Sequence, residues 1–124
     1  AVADYTPKEV AEHKLKKSDD DLRIELRRTK DIAAKLGRIK GDRLLVGFAL
    51  ESHDGEEHAR KKLHDKGFDF IVLNSLQDRG AGFGVDTNKV TFIAADGKEV
   101  LPLMSKNEVA ERIADRMEML FAKR

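Results

Sequence analysis

The sequence predicts an α/β protein, a three-layer α/β/α sandwich whose mixed sheet ends in a β-hairpin followed by a helix. Three observations lead to this fold class. Short apolar runs, typical of buried strands, alternate with amphipathic helical segments over residues 1–74. An Asp-Gly pair at Asp96–Gly97 separates two strand-like segments. Apolar residues then recur at helical spacing from Val109 to Phe121.

A first strand is predicted at Ala1–Tyr5, which is apolar from its first residue and exits through Thr6–Pro7 in extended form. Because Ala1 already lies in strand-like sequence, we expect residues 1–124 to be the carboxyl-terminal portion of a single domain. Asp4 ends this strand, where ligands bind in open α/β sheets. A turn or cap role suits Asp4 about equally well.

A flexible basic flap is predicted at about residues 6–20, with at most one helical turn. At its centre, Lys14–Lys17 places three ammonium groups within four residues, and these repel one another without an anionic partner. A solvated loop is the simpler interpretation, and anion binding is the alternative. Leu22–Arg27 alternates apolar and charged residues, which predicts a half-exposed strand that forms a two-stranded arm with Lys14–Lys17.

The next two elements are a short helix and a strand. The helix is expected to begin at Thr29, its N-cap, and to stop at Gly37. Arg43–Glu51 has the apolar pattern of a central strand that is buried on both faces. On general grounds its Phe48 is a core residue.

Asp54–Lys66 is predicted to be an amphipathic helix, with Lys62 and Lys66 one turn apart on the same face. Two such ammonium groups repel each other in solvent. A phosphate or base carbonyl between them would attract both and make their proximity favourable. A solvated face is the simpler interpretation. Phe68–Asn74 follows as a buried strand, and Ser75–Asn88 as a flexible loop that lacks the ending of a P-loop.

The chain closes with a hairpin and a helix. The hairpin pairs Val90–Ala94 with Glu99–Leu103 around Asp96–Gly97. Ser105 and Glu108 form a capping box. The helix presents Val109, Ile113, Met117 and either Leu120 or Phe121 to the sheet. The first part of the alternation of strands and helices along the chain is Rossmann-like.

Composition limits the functional classes. Lys and Arg number 24 against 23 Asp and Glu, and this near balance disfavours a general polyanion binder. The absence of Cys excludes thiolate chemistry and suits a reducing compartment. No run reaches the roughly 18 apolar residues of a membrane span, so we expect a cytoplasmic protein without a membrane partner. The histidines and carboxylates show no metal-site pattern.

Several motifs, taken in order, resemble the phosphopantothenoylcysteine synthetase domain of coenzyme A biosynthesis. Each motif is weak alone, but their order and spacing extend over nearly the whole chain. They are Ala1–Tyr5, Lys14–Lys17, Val46–Glu51, Asp69–Asn74, Phe83 with Asp86 and Asn88, and Leu101–Leu103 with Ser105–Lys106.

The resemblance implies a ligase reaction. In the bacterial branch, CTP activates 4′-phosphopantothenate as an acyl-cytidylate, and L-cysteine then forms the amide and releases CMP. The implied cofactor is Mg²⁺ with CTP, while FMN is implied only if a decarboxylase domain lies upstream. A homodimer is also implied, with the arm packed across the partner. Because the family match begins about halfway through the domain, we expect residues 1–124 alone to be inactive.

The resemblance also implies site residues. Lys14 is the expected catalytic residue. The family usually has Pro where this chain has Lys30, so that turn is expected to act through its backbone. The positions that match nucleotide contacts are Asp4, Lys14, Lys30, Asp31, Ile32, Ala33, Phe48, Lys62 and Lys66.

Two other classes of function stay open at this point. A nucleic-acid-binding module could use Lys14, Lys16, Lys17, Arg27 and Arg28, but one Tyr and no Trp offer few stacking platforms, so we expect no nucleic acid partner. A purely structural dimerisation domain is the second alternative.

Overall fold

The computed structural model describes residues 2–75 and 84–123. These residues form two compact units, Ala1–Ile32 and Ala33–Arg124, which are described separately. The elements, in chain order, are β1 (Tyr5–Pro7), β2 (Leu26–Arg28), α1 (Ile32–Ile39), β3 (Val46–Glu51), α2 (Gly55–Lys66), β4 (Phe70–Ser75), β5 (Thr87–Asn88), β6 (Val90–Ala94), β7 (Gly97–Val100), β8 (Met104–Ser105) and α3 (Lys106–Ala122). Among the described residues, no helix is long and apolar enough to cross a membrane.

The first unit is built around a two-stranded ribbon. β1 and β2 pair antiparallel, from Tyr5 opposite Arg28 to Pro7 opposite Leu26. A two-stranded arm is therefore present, but it pairs Tyr5–Pro7 with Leu26–Arg28. The prediction that Lys14–Lys17 forms its first strand was wrong, and the predicted second strand Leu22–Arg27 begins only at Leu26. The three ammonium groups of that basic run repel one another, which disfavours a fixed place in a strand ladder. Residues 8–25 contain no helix or strand, so the predicted helical turn is absent there.

The predicted buried strand at Ala1–Tyr5 was also wrong within this unit. Val2 is 66% exposed, and the strand begins only at Tyr5. The Thr29 hydroxyl donates to the Ala3 carbonyl at 2.7 Å, so Thr29 ties down the start of the chain and is not the helix cap that we predicted. A two-stranded ribbon has no covering layer, and so it cannot bury either face. For the same reason Leu26 of β2 is exposed, and Leu22 and Ile24, which precede that strand, are exposed as well.

The second unit has the predicted three layers. Its sheet has the order β3-β4-β6-β7, with β3 parallel to β4 and the other pairs antiparallel. On one face, Ala59 and Leu63 of α2 pack against Ile71 and Ile93. On the other face, α3 packs against a second cluster that contains Phe70, Val72 and Phe92. The mixed α/β/α sandwich is confirmed.

The strands differ in how deeply they are buried. Four successive residues of β4, Phe70–Leu73, are buried, which is the pattern of a strand covered on both faces. β3 is instead the edge strand, so the prediction of a central strand at Arg43–Glu51 was wrong. Gly47 and Ala49 are buried on the α2 side, whereas Phe48 is 69% exposed because no described element covers its other face.

A carboxylate fixes the start of β3 against β4. Asp69 accepts a hydrogen bond from the Leu45 backbone N–H at 2.7 Å and forms an ion pair with Lys40 at 2.9 Å. The Asp69 backbone N–H in turn donates to the Leu45 carbonyl at 2.8 Å. These contacts align the amino ends of both strands, so that their carboxyl ends meet at one edge of the sheet.

Helix α1 continues through Gly37, so the predicted stop at this glycine was wrong. Gly37 instead allows close helix packing, because a Cβ there would lie 1.9 Å from the Lys66 carbonyl oxygen at the end of α2. α1 has no buried residue, and Leu36 and Ile39 remain 44% and 57% exposed. This helix therefore approaches the end of α2 closely at Gly37.

The carboxyl-terminal elements follow the sequence closely. β6 and β7 form the predicted hairpin, but its second strand is Gly97–Val100, so the predicted bounds Glu99–Leu103 were wrong. Ala94 pairs with Gly97, so the turn residues are Ala95 and Asp96, and Gly97 begins β7 with a φ of 147°. The capping box is confirmed: Glu108 N–H donates to Ser105 Oγ at 3.2 Å, and Ser105 N–H donates to Glu108 at 2.8 Å. The residues of α3 that pack on the sheet are Val109, Ile113, Met117 and Leu120, whereas Phe121 is 54% exposed.

Replacing Gly47 by Ala tests the packing of β3. A Cβ at this position would lie 2.7–2.8 Å from three ring carbons of Phe68. We expect Gly47→Ala to lower the free energy of unfolding by about 1–3 kcal/mol, the range for overpacking a core. In a Phe68→Ala background, which removes the ring, the same substitution should cost nearly nothing. Urea unfolding of the four proteins measures both costs, and equal costs in the two backgrounds would rule out this contact as the cause.

Candidate functional site

The predicted site residues divide between the two units. Asp4, Lys14, Lys30, Asp31 and Ile32 belong to the first unit, and Ala33, Phe48, Lys62 and Lys66 belong to the second. Each group is therefore described within its own unit.

In the first unit the candidate residues are exposed to solvent. Asp4 directly precedes β1, and its backbone carbonyl accepts a hydrogen bond from Thr29 N–H at 2.9 Å. This bond holds the Asp4 backbone at the end of the ribbon. It does not involve the Asp4 carboxylate. Lys14 lies in the segment between β1 and β2, outside any helix or strand. Its ammonium group is accessible to an anion.

The predicted turn at residues 30–33 leads into α1. Lys30 and Asp31 precede the helix, and Ile32 and Ala33 belong to its first turn. N–H groups in the first turn of a helix have no acceptor within that helix. Backbone donors in this position can contact an anion or the edge of a base.

Phe48 is an exposed aromatic residue on an otherwise well-packed strand. It lies opposite Val72 in the parallel register of β3 and β4, and Val72 is fully buried. Leu50, two residues further along the same face, is 39% exposed. The exposure of Phe48 argues against the core role expected on general grounds, and its family-based role beside a base stays a prediction.

Lys62 is held by a carboxylate at the carboxyl end of β3. Its Nζ lies 2.6 Å from Oε1 of Glu51, the last residue of the strand. The other oxygen of Glu51 lies 3.4 Å from His58 Nδ1, one helical turn before Lys62. Glu51 is the least accessible of the three side chains, at 16% exposed against 42% for Lys62 and 51% for His58.

This cluster was not predicted from the sequence, in which Glu51 only marked the end of a strand. The hydrogen bond and charge of Lys62 hold the pKa of Glu51 below its ordinary value of 4.5, although partial burial opposes the shift. His58 contributes in the same direction. Glu51 is therefore a carboxylate at neutral pH, and it cancels the charge of Lys62.

Lys66 lies one turn beyond Lys62, at the end of α2. Its backbone carbonyl faces Gly37 of α1, so this residue also marks the contact between the two helices. Within the second unit, Phe48 and the Glu51–Lys62 pair thus belong to the same edge strand, but they lie on opposite faces of the sheet. The structure places Lys66 and α1, which includes Ala33, next to each other.

Two asparagine side chains at the same end of the sheet have unsatisfied acceptors. The Oδ1 atoms of Asn74 and Asn88 are buried and have no hydrogen-bond partner in the part of the chain that the structure describes. Asn74 lies opposite Leu50 in register, on the strand adjoining β3. Asn74 and Asn88 both belong to motifs that carry the family resemblance, but neither was predicted as a site residue. Phe83 and the remainder of the predicted loop at 76–83 lie outside the described residues.

The described residues include no group of three or more His, Cys, Asp or Glu side chains that could hold a metal ion. A magnesium ion that accompanies a nucleotide needs fewer protein ligands, since it is usually bound through phosphate oxygens, waters and one or two carboxylates.

This chain is similar to several known proteins. Residues 1–120 match the family described as the DNA/pantothenate metabolism flavoprotein C-terminal domain. The coenzyme A biosynthesis bifunctional protein CoaBC of Bacillus subtilis strain 168 is 50% identical over 121 residues, covering 97% of this chain and 30% of that protein. A cysteine/cysteine sulfinic acid decarboxylase from an unknown prokaryotic organism is 48% identical over 115 residues, covering 91% of this chain and 32% of that protein.

A solved structure is also similar. The crystal structure of the C-terminal domain of a coenzyme A biosynthesis bifunctional protein CoaBC has a TM-score of 0.76 and 40% identity, and the match covers 99% of this chain and 52% of that chain. The present chain thus spans about a third of the length of the curated relatives it matches and about half of the solved domain.

The pKa of Glu51 tests the geometry of the Lys62 contact. Because Lys62 is the main cause of the low value, Lys62→Gln should raise the pKa of Glu51 toward 4.5. Since the folded-state pKa is the lower one, the contribution of Glu51 to stability is present above pH 4.5 and is lost as the pH falls through the folded-state value.

An NMR titration of the side-chain carboxyl carbons measures this change. Glu108 provides an internal control, because its low pKa is caused by the Ser105 backbone and hydroxyl groups and should not respond to Lys62→Gln. An unchanged Glu51 titration in the variant would show that the two side chains do not interact in solution.

Proposed function

Because this chain belongs to the family of DNA/pantothenate metabolism flavoprotein C-terminal domains, we propose that it is the carboxyl-terminal part of a CTP-dependent phosphopantothenate–cysteine ligase. The main support is the match over residues 1–120, together with 50% identity to a bifunctional protein of coenzyme A biosynthesis. The order of the sequence motifs supports the same assignment. A cytoplasmic location is part of this proposal.

The proposed reaction has two steps. A carboxylate oxygen of 4′-phosphopantothenate attacks the α-phosphorus of CTP and displaces pyrophosphate, which gives the acyl-cytidylate. The amino group of L-cysteine then attacks the acyl carbon, and CMP leaves with the bridging oxygen. Magnesium, bound through the triphosphate, would help to neutralise the charge on the departing pyrophosphate.

Different residues of this chain contact different parts of the nucleotide. The Lys14 ammonium stabilises negative charge that develops on the phosphates, while the Asp4 carboxylate contributes through the metal or the nucleotide. Lys30, Asp31, Ile32 and Ala33 supply backbone groups at the start of α1. Phe48 provides an apolar wall for the base, and Lys62 and Lys66 add donors from α2.

A homodimer is a further part of the proposal. Three apolar side chains of the arm, Leu22, Ile24 and Leu26, are 56–71% exposed within this chain. An apolar strip of this kind is stabilised when a partner covers it. The resemblance assigns that role to a second copy of the domain.

The decarboxylase name of one relative does not change this assignment. This chain spans 32% of that protein, and the resemblance places flavin-dependent decarboxylation in a separate upstream domain. FMN would therefore be a cofactor only of a longer protein that contains such a domain.

Lys14→Gln tests the proposed catalytic residue. The test uses the extended form, in which this chain is preceded by the amino-terminal half of the domain. Losing one preorganised charge should lower kcat by about a hundredfold to a thousandfold. Lys17→Gln, in the same basic run, is the matched control and should have a much smaller effect. If both variants have the same ligation kinetics, Lys14 is a solvated surface lysine and not the catalytic residue.

Nucleotide choice tests the base contacts. CTP and ATP carry the same triphosphate, so any discrimination must come from the residues proposed to contact the base, which are Phe48 and the backbone of residues 30–33. A purine edge presents a different pattern of donors and acceptors and would leave buried groups unpaired. We expect the extended form to bind CTP at least about tenfold more tightly than ATP, a difference of about 1.4 kcal/mol. Calorimetric titration with magnesium would contradict the CTP assignment if the affinities were equal or favoured ATP.

A further inference from the structure

The contact between Lys62 and Glu51 affects what Lys62 can recognise. A lysine ammonium has three N–H donors, and the 2.6 Å contact with Glu51 occupies one of them. Lys62 is still 42% exposed, so its remaining donors can reach a ligand. The contact also fixes the end of a long side chain that would otherwise sample many rotamers.

The charge of the pair matters as much as its geometry. Glu51 is ionised at neutral pH, and it lies at hydrogen-bond distance from Lys62. A phosphate that approached the Lys62 ammonium would also approach this carboxylate, and the repulsion would cancel much of the attraction. An uncharged acceptor such as a carbonyl meets no such repulsion, and it benefits fully from a donor whose position is fixed.

His58 strengthens this arrangement from the other side. Its Nδ1 lies 3.4 Å from the second oxygen of Glu51, so the carboxylate is held between two residues of α2 one turn apart. Phe48 lies three residues before Glu51 on the same strand, so its side chain projects from the opposite face of the sheet. The positioned donor and the proposed wall for the base thus belong to the same edge strand and lie on its two faces.

We propose that Glu51 is a positioning residue, which aims Lys62 at an uncharged carbonyl of the nucleotide base and keeps it from acting as a phosphate clamp. This inference rests on the proposed nucleotide-dependent function. It makes Glu51 and Lys62 determinants of base recognition, and it separates their role from that of Lys14 at the phosphates.

Glu51→Gln in the extended form gives a test in which charge and positioning act in opposite directions. The substitution makes the site more positive, so a general electrostatic effect would tighten nucleotide binding. Loss of positioning should instead weaken CTP binding by about tenfold or more. Inorganic tripolyphosphate, which has no base, should bind with unchanged or tighter affinity. Isothermal calorimetry measures both ligands.

Two controls separate positioning from a structural effect. Glu56→Gln removes another carboxylate of α2, one that pairs with Arg60 and Lys98, and it should leave CTP affinity unchanged. In a Lys62→Gln background, Glu51→Gln should add no further loss, because it acts through Lys62. Thermal unfolding checks that each variant folds. If Glu51→Gln does not fold, Glu51→Asp, which shortens the reach, replaces it with the same expectation.

The outcomes are distinct. A CTP affinity that is unchanged or tighter in Glu51→Gln, or an equal loss with and without Lys62, would overturn the positioning role while the ligase assignment stands. An equal loss for CTP and tripolyphosphate would also overturn it, because the pair would then act on phosphates. If the unsubstituted extended form binds no CTP, the proposed function itself fails, and this inference fails with it.

Discussion

The described sheet depends on the burial of β4 between two helices. Phe70 and Val72 face α3, and Ile71 and Leu73 face α2, so one strand supplies part of both apolar clusters. Fully burying each such side chain contributes roughly 1.5–3 kcal/mol. Because β3 pairs parallel to β4 in a register that Asp69 fixes at its start, the carboxyl ends of both strands reach the same edge. That edge holds Glu51 and Asn74, and the chemistry proposed for the second unit depends on it.

The sequence predicts most of the second unit because its local signals agree with its tertiary packing. The alternation of strands and helices, the hairpin, the capping box and the apolar face of α3 all depend on short-range patterns. Strand position in the sheet is different, since Leu44–Val46 is as apolar in sequence as the interior of β4. Whether a strand is central or at an edge depends on its neighbours, and a single run of residues does not encode them. The wrong assignments at Ala1–Tyr5 and Arg43–Glu51 have this cause.

The candidate site shows a similar division. Resemblance to a family suggested single residues, including Phe48, whose exposure argues against the core role that general rules assign to it. It did not identify Glu51, because a carboxylate at a strand end has many ordinary explanations. Only the distance to Lys62 shows that the lysine is already paired. A paired lysine and an unpaired lysine look the same in a sequence, yet they favour different ligands.

Transfer of an oxygen atom tests the central claim, that this chain is part of a ligase which forms an acyl-cytidylate. The extended form is supplied with CTP, L-cysteine and 4′-phosphopantothenate labelled with ¹⁸O in its carboxylate, and the released CMP is analysed by mass spectrometry. The account predicts one labelled oxygen in the phosphate of each CMP, because the bridging oxygen leaves with the nucleotide. Amide formation with label in inorganic phosphate and none in CMP would contradict it, since activation would then proceed through an acyl phosphate.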